Sequence, residues 1–127
     1  MGLREIKASD IMLKDVITIG PDEHLPIAKL KTLRRGVGGL PVVENGSLLG
    51  MITHRDIILL GNKIASLIVR DIMSRNVLSV EEDTSITEIV RLMKETGYQR
   101  LPVVRGKKLI GLITQSSIIN ALAEELG

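Results

Sequence analysis

The sequence predicts a mixed α/β fold of the α+β kind, two β-α-β-β-α units packed face to face. Three observations predict it. The first is an internal repeat. Asp10-Ile11-Met12 returns as Asp71-Ile72-Met73, and Leu40-Pro41-Val42-Val43 as Leu101-Pro102-Val103-Val104. Gly50-Met51-Ile52-Thr53 returns as Gly111-Leu112-Ile113-Thr114, and all three pairs are displaced by 61 positions. An ungapped repeat over most of 127 residues is a statement about architecture. The second is the same order of β-prone runs and helical stripes in both halves. The third is size: each half is too short to bury a good core alone. The halves therefore close on each other about a pseudo-two-fold seam, and such seams form clefts.

The second half shows the pattern most cleanly. Val77-Leu78-Ser79-Val80 reads as a strand. Ser85 followed by Glu88 fits a capping box, in which each side chain satisfies a backbone amide at a helix start. Ile86, Ile89, Val90 and Met93 then form one apolar stripe, and Gly97 ends the helix. Leu101 to Val104 and Leu109 to Thr114 are two strands, followed by a helix from Gln115 to Leu126. In the first half, Ile17-Thr18-Ile19 is the strand and Leu25 to Arg35 the helix, with Pro26 tolerated in its first turn. The apolar residues of that helix, Leu25, Ala28, Leu30 and Leu33, do not superpose fully on the stripe of the second half. Leu40 to Val43 and Leu48 to Thr53 form the hairpin, and His54 to Leu60 the last helix, closed by Gly61. Asn45-Gly46 suits a type I′ turn, whereas Gly106-Lys107, with Gly first, suits type II′. Short helices around Ala8 to Met12 and Leu67 to Met73 lead into each first strand. The joint Gly61 to Ser66 is too short and too mixed for a flexible tether. The repeats are taken as 8–61 and 66–124.

Composition narrows the function classes. Seventeen basic and fifteen acidic residues leave a net charge of only +2. That balance, with a single aromatic residue, argues against tracking a phosphate backbone or stacking bases. The absence of Cys excludes disulfides and thiolate metal sites and fits a reducing compartment. No apolar run approaches the roughly 20 residues of a membrane span, and Met1 to Glu5 has no leader-like apolar region. A cytoplasmic protein without membrane attachment is expected. His24 and His54 come without metal-ligand spacing. No nucleophile elbow, Walker loop or general-base pair is present, so no enzyme activity is expected.

Thr53-His54-Arg55-Asp56 lies where a strand turns into a helix, and Thr114-Gln115-Ser116-Ser117 is its twin. A helix start offers free amides to an anion, Thr53 offers a hydroxyl, and Asp56 offers two acceptors for vicinal ribose hydroxyls. Thr-x-x-Asp is equally a capping pattern that needs no ligand. Tyr98 can line a pocket for a flat base or sit half-buried at an element edge. Arg100 can meet a phosphate or be solvated. The Gly-rich run at positions 36–39 is weak evidence of phosphate binding, and Lys29, Lys31, Arg34 and Arg35 read as a solvated helix face.

Together these signatures resemble a pair of CBS domains, a Bateman module, over almost the full chain, from about Ala8 to about Ala123. The resemblance implies two repeats packed sheet to sheet about a pseudo-two-fold, often paired further into disc-like homodimers. It implies clefts for adenine nucleotides (AMP, ADP, ATP) or an S-adenosylmethionine-like ligand, and a regulatory role toward a separate partner protein. Carried over by residue, the stronger cleft takes its ribose contacts from Asp56 and Thr53, and its base pocket from Leu78, Tyr98 and the flanking Gln99. His54, Arg55 and Arg100 are its candidates for phosphate, and Ser74 adds a hydroxyl. The weaker cleft pairs Thr114 and Ser117 with Ile17, Val37, Gly38 and Gly39, which include neither a basic residue nor an aromatic. There Ser117 replaces the acid, and losing one such contact costs about 1.5–3 kcal/mol, roughly 10- to 150-fold in affinity. The competing expectation is a dimerisation or assembly module that binds no nucleotide and uses Thr53 and Asp56 only as caps.

Overall fold

The computed structural model describes residues 6–126, so the reading of Met1 to Glu5 lies outside the described residues. In chain order the elements are α1 (Ala8–Ile11), α2 (Leu25–Arg35), β1 (Gly39–Glu44), β2 (Ser47–Thr53) and α3 (His54–Ile58). A 3-10 turn (Gly61–Ser66), α4 (Val69–Ile72), β3 (Val80–Glu81), α5 (Ile86–Thr96), β4 (Arg100–Arg105), β5 (Lys108–Thr114) and α6 (Gln115–Leu126) follow. The fold class is α+β. No helix among the described residues is long and apolar enough to cross a membrane.

The chain divides into two compact units. One is Ile17–Val77; the other combines the residues up to Val16 with those from Leu78 onward. In the central unit β1 and β2 pair antiparallel from Gly39↔Thr53 to Glu44↔Ser47, with a bulge between Val42 and Val43. Their aliphatic side chains pack with Ile19, Leu25, Ala28, Ile57, Val69 and Met73. The other unit repeats this register, from Arg100↔Thr114 to Arg105↔Lys108, with the bulge between Val103 and Val104. Its core joins Leu101, Val103 and Ile113 to Ile6, Ala8, Val80, Ile86, Ile89, Ile118 and Ala121. Both cores are aliphatic, as a chain without Phe or Trp requires.

The hairpin turns bear out their chemistry. Asn45 and Gly46 both take positive φ (53° and 83°), as type I′ demands, whereas only Gly106 does in the second turn (63°), as type II′ demands. Gly97 ends α5 in the left-handed conformation at φ 76°.

The units do not follow the order of the sequence repeats, because each lead-in segment packs with the other repeat. Ala8 N–H donates to Thr84 O (2.8 Å), Ser9 N–H to Glu82 O (3.0 Å), and Leu13 bridges Leu112. Val69 N–H donates to Glu23 O (2.9 Å), Arg70 N–H to Pro21 O (2.8 Å), and Ser74 bridges Met51. The exchange gives the repeated Asp-Ile-Met and Gly-h-Ile-Thr motifs (h apolar) a common purpose. Met12 covers Gly111 and Met73 covers Gly50, each where a β-carbon would collide. Asp10 and Asp71 accept from the backbone amides of Lys7 (2.9 Å) and Ile68 (3.1 Å), fixing each lead-in helix at its start.

Several expectations are corrected. The strand expected at 17–19 is reduced to one parallel bridge, Ile19↔Val42, and that at 77–80 to Val80–Glu81 beside β4. The last helix of the first half stops at Ile58. α2 buries Leu25, Ala28 and Thr32, not Leu30 and Leu33, because a buried hydroxyl takes the third position of the stripe. In α5 Val90 is 41% exposed, so only Ile86 and Ile89 are fully inside. Ser85 caps Glu88 N–H at 3.2 Å, but the Glu88 carboxylate turns to Arg91 and leaves the box half-made. Arg105 grips Glu82 through Nε (3.1 Å) and a second nitrogen (2.9 Å), holding its carboxyl below the usual range. That contribution is present above the ordinary glutamate range and is lost as pH falls through the lowered value. Exposure of both partners keeps it small.

Candidate ligand-binding site

Each unit brings the start of one strand beside the start of one helix. In the central unit Gly39 pairs with Thr53, and His54 N–H donates to Gly38 O at 2.9 Å. In the other unit Arg100 pairs with Thr114, and Gln115 N–H donates to Gln99 O at 3.2 Å. The antiparallel register alone produces this, because the strand that enters the hairpin begins opposite the residue that caps the helix.

At the α3 start the capping box is complete. Asp56 N–H donates to Thr53 Oγ1 (3.1 Å), and Thr53 N–H donates to Asp56 Oδ2 (3.0 Å). The carboxylate keeps a second oxygen, Oδ1, with no hydrogen bond among the described residues, and the side chain is half-buried. The Thr53 hydroxyl keeps its own hydrogen to donate. His54 adds a third group. The hydroxyl of Thr32, 2% exposed, lies 2.8 Å from Lys29 O, to which it donates. His54 Nδ1 lies 3.3 Å from the same hydroxyl, which anchors the ring and leaves Nε2 for other contacts. α3 has only five residues, so the helix dipole invoked from the sequence contributes little here.

The α6 start has the same geometry and different chemistry. Thr114 N–H donates to Ser117 Oγ (3.1 Å), Ser117 N–H to Thr114 Oγ1 (3.2 Å), and the hydroxyls lie 3.2 Å apart. Ser117 is buried and its single oxygen already meets both Thr114 N–H and the Thr114 hydroxyl, so there is no second side-chain oxygen left over. The two helix starts are equally well capped, and only one has a free carboxylate oxygen.

The remaining candidates fall as follows. Arg55 and Gln99 are exposed and Arg100 is half-buried. Ser74 pairs with Met51 through its backbone (3.0 and 2.9 Å) and exposes its side chain. Leu78 packs against its unit's core, and Tyr98 is 50% exposed. Val37 packs against the central core, Gly38 is exposed and Gly39 buried. Ile17 lines a hollow of about 490 Å³ with Ile27, Leu30, Lys31, Arg34 and Arg35. The structure thus gathers Thr53, His54 and Asp56 with Gly38 and Gly39 in one unit, and Gln99 and Arg100 with Thr114 and Ser117 in the other. The cleft groupings implied by the resemblance each combine residues of both units.

Two features escaped the sequence. Thr32, which orients His54, could have been found as a hydroxyl on the helix's buried face. The sequence places the cations beside Ile17 on a solvated face, because nothing in the spacing tells which helix face borders that distant segment. Among the described residues no cluster of His, Cys, Asp and Glu could hold a metal ion.

This fold and its repeated strand-helix junctions define a tandem-repeat module. The sequence profile of the CBS domain matches residues 8–62 and 69–124, and the chain belongs to the CBS-domain family. The chain is 36% identical over 123 residues to the protein MK0525 of Methanopyrus kandleri, covering 92% of this chain and 63% of that protein. It is 37% identical over 115 residues to the inosine-5'-monophosphate dehydrogenase of Methanocaldococcus jannaschii, covering 89% of this chain and 23% of the enzyme. The chain therefore spans less than two thirds of these relatives. Among solved structures, CBSX2 from Arabidopsis thaliana in complex with AMP superposes with a TM-score of 0.90 at 26% identity, covering 96% of this chain and 99% of that one.

Proposed function

We propose that this chain is a regulatory module that binds an adenine nucleotide, with AMP as the representative ligand, and passes its occupancy to a separate partner protein. The observation that carries the reading is the spare Oδ1 of Asp56 beside the Thr53 hydroxyl, at the helix start that His54 opens. An acceptor and a donor at one helix start suit a ribose edge, and His54 Nε2 is left to meet a phosphate. The AMP complex of CBSX2, covered over 99% of its length, supports this ligand class. Leu78, Tyr98, Gln99 and Arg100 complete the stronger cleft in this reading, with Arg55 and Ser74 at its margin. Ile17, Val37, Gly38, Gly39, Thr114 and Ser117 form a cleft that holds ribose weakly. The sequence repeats 8–61 and 66–124 are its two halves. The module acts as a homodimer in the cytoplasm and performs no chemistry; its ligand shifts the population of states that the partner reads.

A second reading is an assembly module without nucleotide, favoured by the complete Thr53/Asp56 capping box, which needs no ligand. Thermal melting separates the two. AMP, ADP, ATP and S-adenosylmethionine are each titrated against a guanosine nucleotide control. Ligand at 100-fold over its dissociation constant adds about 2.7 kcal/mol of stability. An adenosine-specific rise in melting temperature is expected; melting curves unmoved by all four would leave the assembly reading standing.

A further inference from the structure

Only two polar side chains are buried among the described residues, Thr32 and Ser117. Ser117 is accounted for, because its hydroxyl accepts from Thr114 N–H (3.1 Å) and completes a helix cap. Thr32 caps nothing. It stands in the body of α2, on the buried face it shares with Leu25 and Ala28. Its hydroxyl lies 2.8 Å from Lys29 O on its own helix and 3.3 Å from His54 Nδ1 at the start of α3. The first contact satisfies the group locally, and a hydroxyl bonded back to its own helix adds little to that helix or weakens it. The second contact spans 22 positions of sequence and joins two elements.

The internal repeat shows that the fold does not call for a hydroxyl there. Displaced by 61 positions, Leu25 and Ala28 become Ile86 and Ile89, which are also buried, while Thr32 becomes Met93. Met93 packs against the core of its own unit. His54 becomes Gln115, whose side chain is exposed, and Asp56 becomes Ser117. Thr32, His54 and Asp56 therefore occur together in one repeat and are replaced together in the other. A hydroxyl is costlier to bury than a thioether chain. It stands where there is an imidazole for it to hold, and a Met stands where there is none.

We infer that Thr32 is a positioning residue: it fixes the His54 ring so that Nε2 serves the phosphate of a bound nucleotide, and so makes this chain prefer phosphate-bearing adenosine compounds over phosphate-free ones. This deepens the adenine-nucleotide reading above and rests on it. His54 is held at two points, by its own N–H on Gly38 O (2.9 Å) and by Nδ1 against Thr32. A ring anchored at one nitrogen loses little freedom when the other meets a ligand, so more of the contact is realised as affinity. Arg55 beside it is exposed, and a long free side chain must be ordered by the ligand at an entropic cost. α3, with five residues, is too short for its dipole to hold an anion, so the discrimination falls to side chains.

Calorimetry with AMP and with adenosine tests this in the full chain. Thr32→Val keeps the shape and removes the hydroxyl. Its affinity for AMP is expected to fall about five- to tenfold, the worth of one hydrogen bond, while that for adenosine moves less than about twofold. Thr32→Ser, which keeps the hydroxyl, is expected to hold the wild-type values. His54→Gln, the residue of the second repeat, is expected to lower AMP affinity at least as far, and Thr32→Val to add nothing in that background. The AMP values of wild type, both single variants and the double variant form a closed cycle that decides the coupling. Melting curves are recorded first. Should Thr32→Val not fold, Thr32→Met, the residue the second repeat carries there, takes its place; if neither folds, Thr32 serves the core and the inference falls. Equal loss of AMP and adenosine, no loss of AMP, or a Thr32→Val effect that persists beside His54→Gln also overturns it and leaves the nucleotide reading standing. A wild-type chain that binds neither compound overturns both.

Discussion

Gly50→Ala is expected to lower the melting temperature by roughly 10 °C, a loss of about 2–3 kcal/mol. A β-carbon at position 50 would stand 2.5 Å from Ser74 O and 3.1 Å from Met73 Sδ. The carbonyl cannot step aside cheaply. It accepts from Met51 N–H at 3.0 Å, and Ser74 N–H returns a bond to Met51 O at 2.9 Å. The methyl group therefore pries the lead-in segment after α4 from the strand that holds it. Gly111→Ala is the informative contrast. The atoms nearest its β-carbon all belong to the Met12 side chain, including Cγ at 2.7 Å and Cβ at 3.0 Å. A thioether chain can swing partly away, so this loss is smaller and is relieved further by Met12→Ala. Thermal melting of the two alanine variants and of Gly111→Ala/Met12→Ala checks the ordering.

Asp56→Ser is expected to weaken AMP binding about 10- to 150-fold while changing stability by less than about 1 kcal/mol. The second expectation rests on α6, where a serine at the equivalent position completes a sound cap with Thr114. Asp56→Ala loses the same ligand contact and the cap as well, adding a stability cost of about 0.5–2 kcal/mol. Comparing the two variants separates the carboxylate's service to the helix from its service to a ligand. An assembly module predicts no effect of Asp56→Ser beyond the melting temperature.

The 61-residue displacement is visible in both hairpins down to the position of the bulge, because identical turn lengths and Leu-Pro-Val-Val runs force identical register. The long helices were readable from Gly97, Ser85 and Pro26. What the sequence hides is the exchange of lead-in segments. Asp-Ile-Met says that a short helix begins and that its Met is apolar; it does not say which repeat's glycine the Met will cover. The facing of α2 was hidden for a related reason, since Thr32 takes an inward position that apolar periodicity assigns to leucine. At the site, Thr53 and Asp56 were readable as a pair. Spacing could not show that one carboxylate oxygen is used in the cap and one is left over, nor that Ser117 has none to spare.

Titration calorimetry of AMP into the wild-type chain and into Asp56→Ser tests the central claim most directly. The account predicts a single tight site per chain in the wild type, reduced at least about tenfold in Asp56→Ser while Ser117→Ala leaves it intact. Undiminished AMP affinity in Asp56→Ser, or tight binding that is lost only with Ser117→Ala, would contradict it.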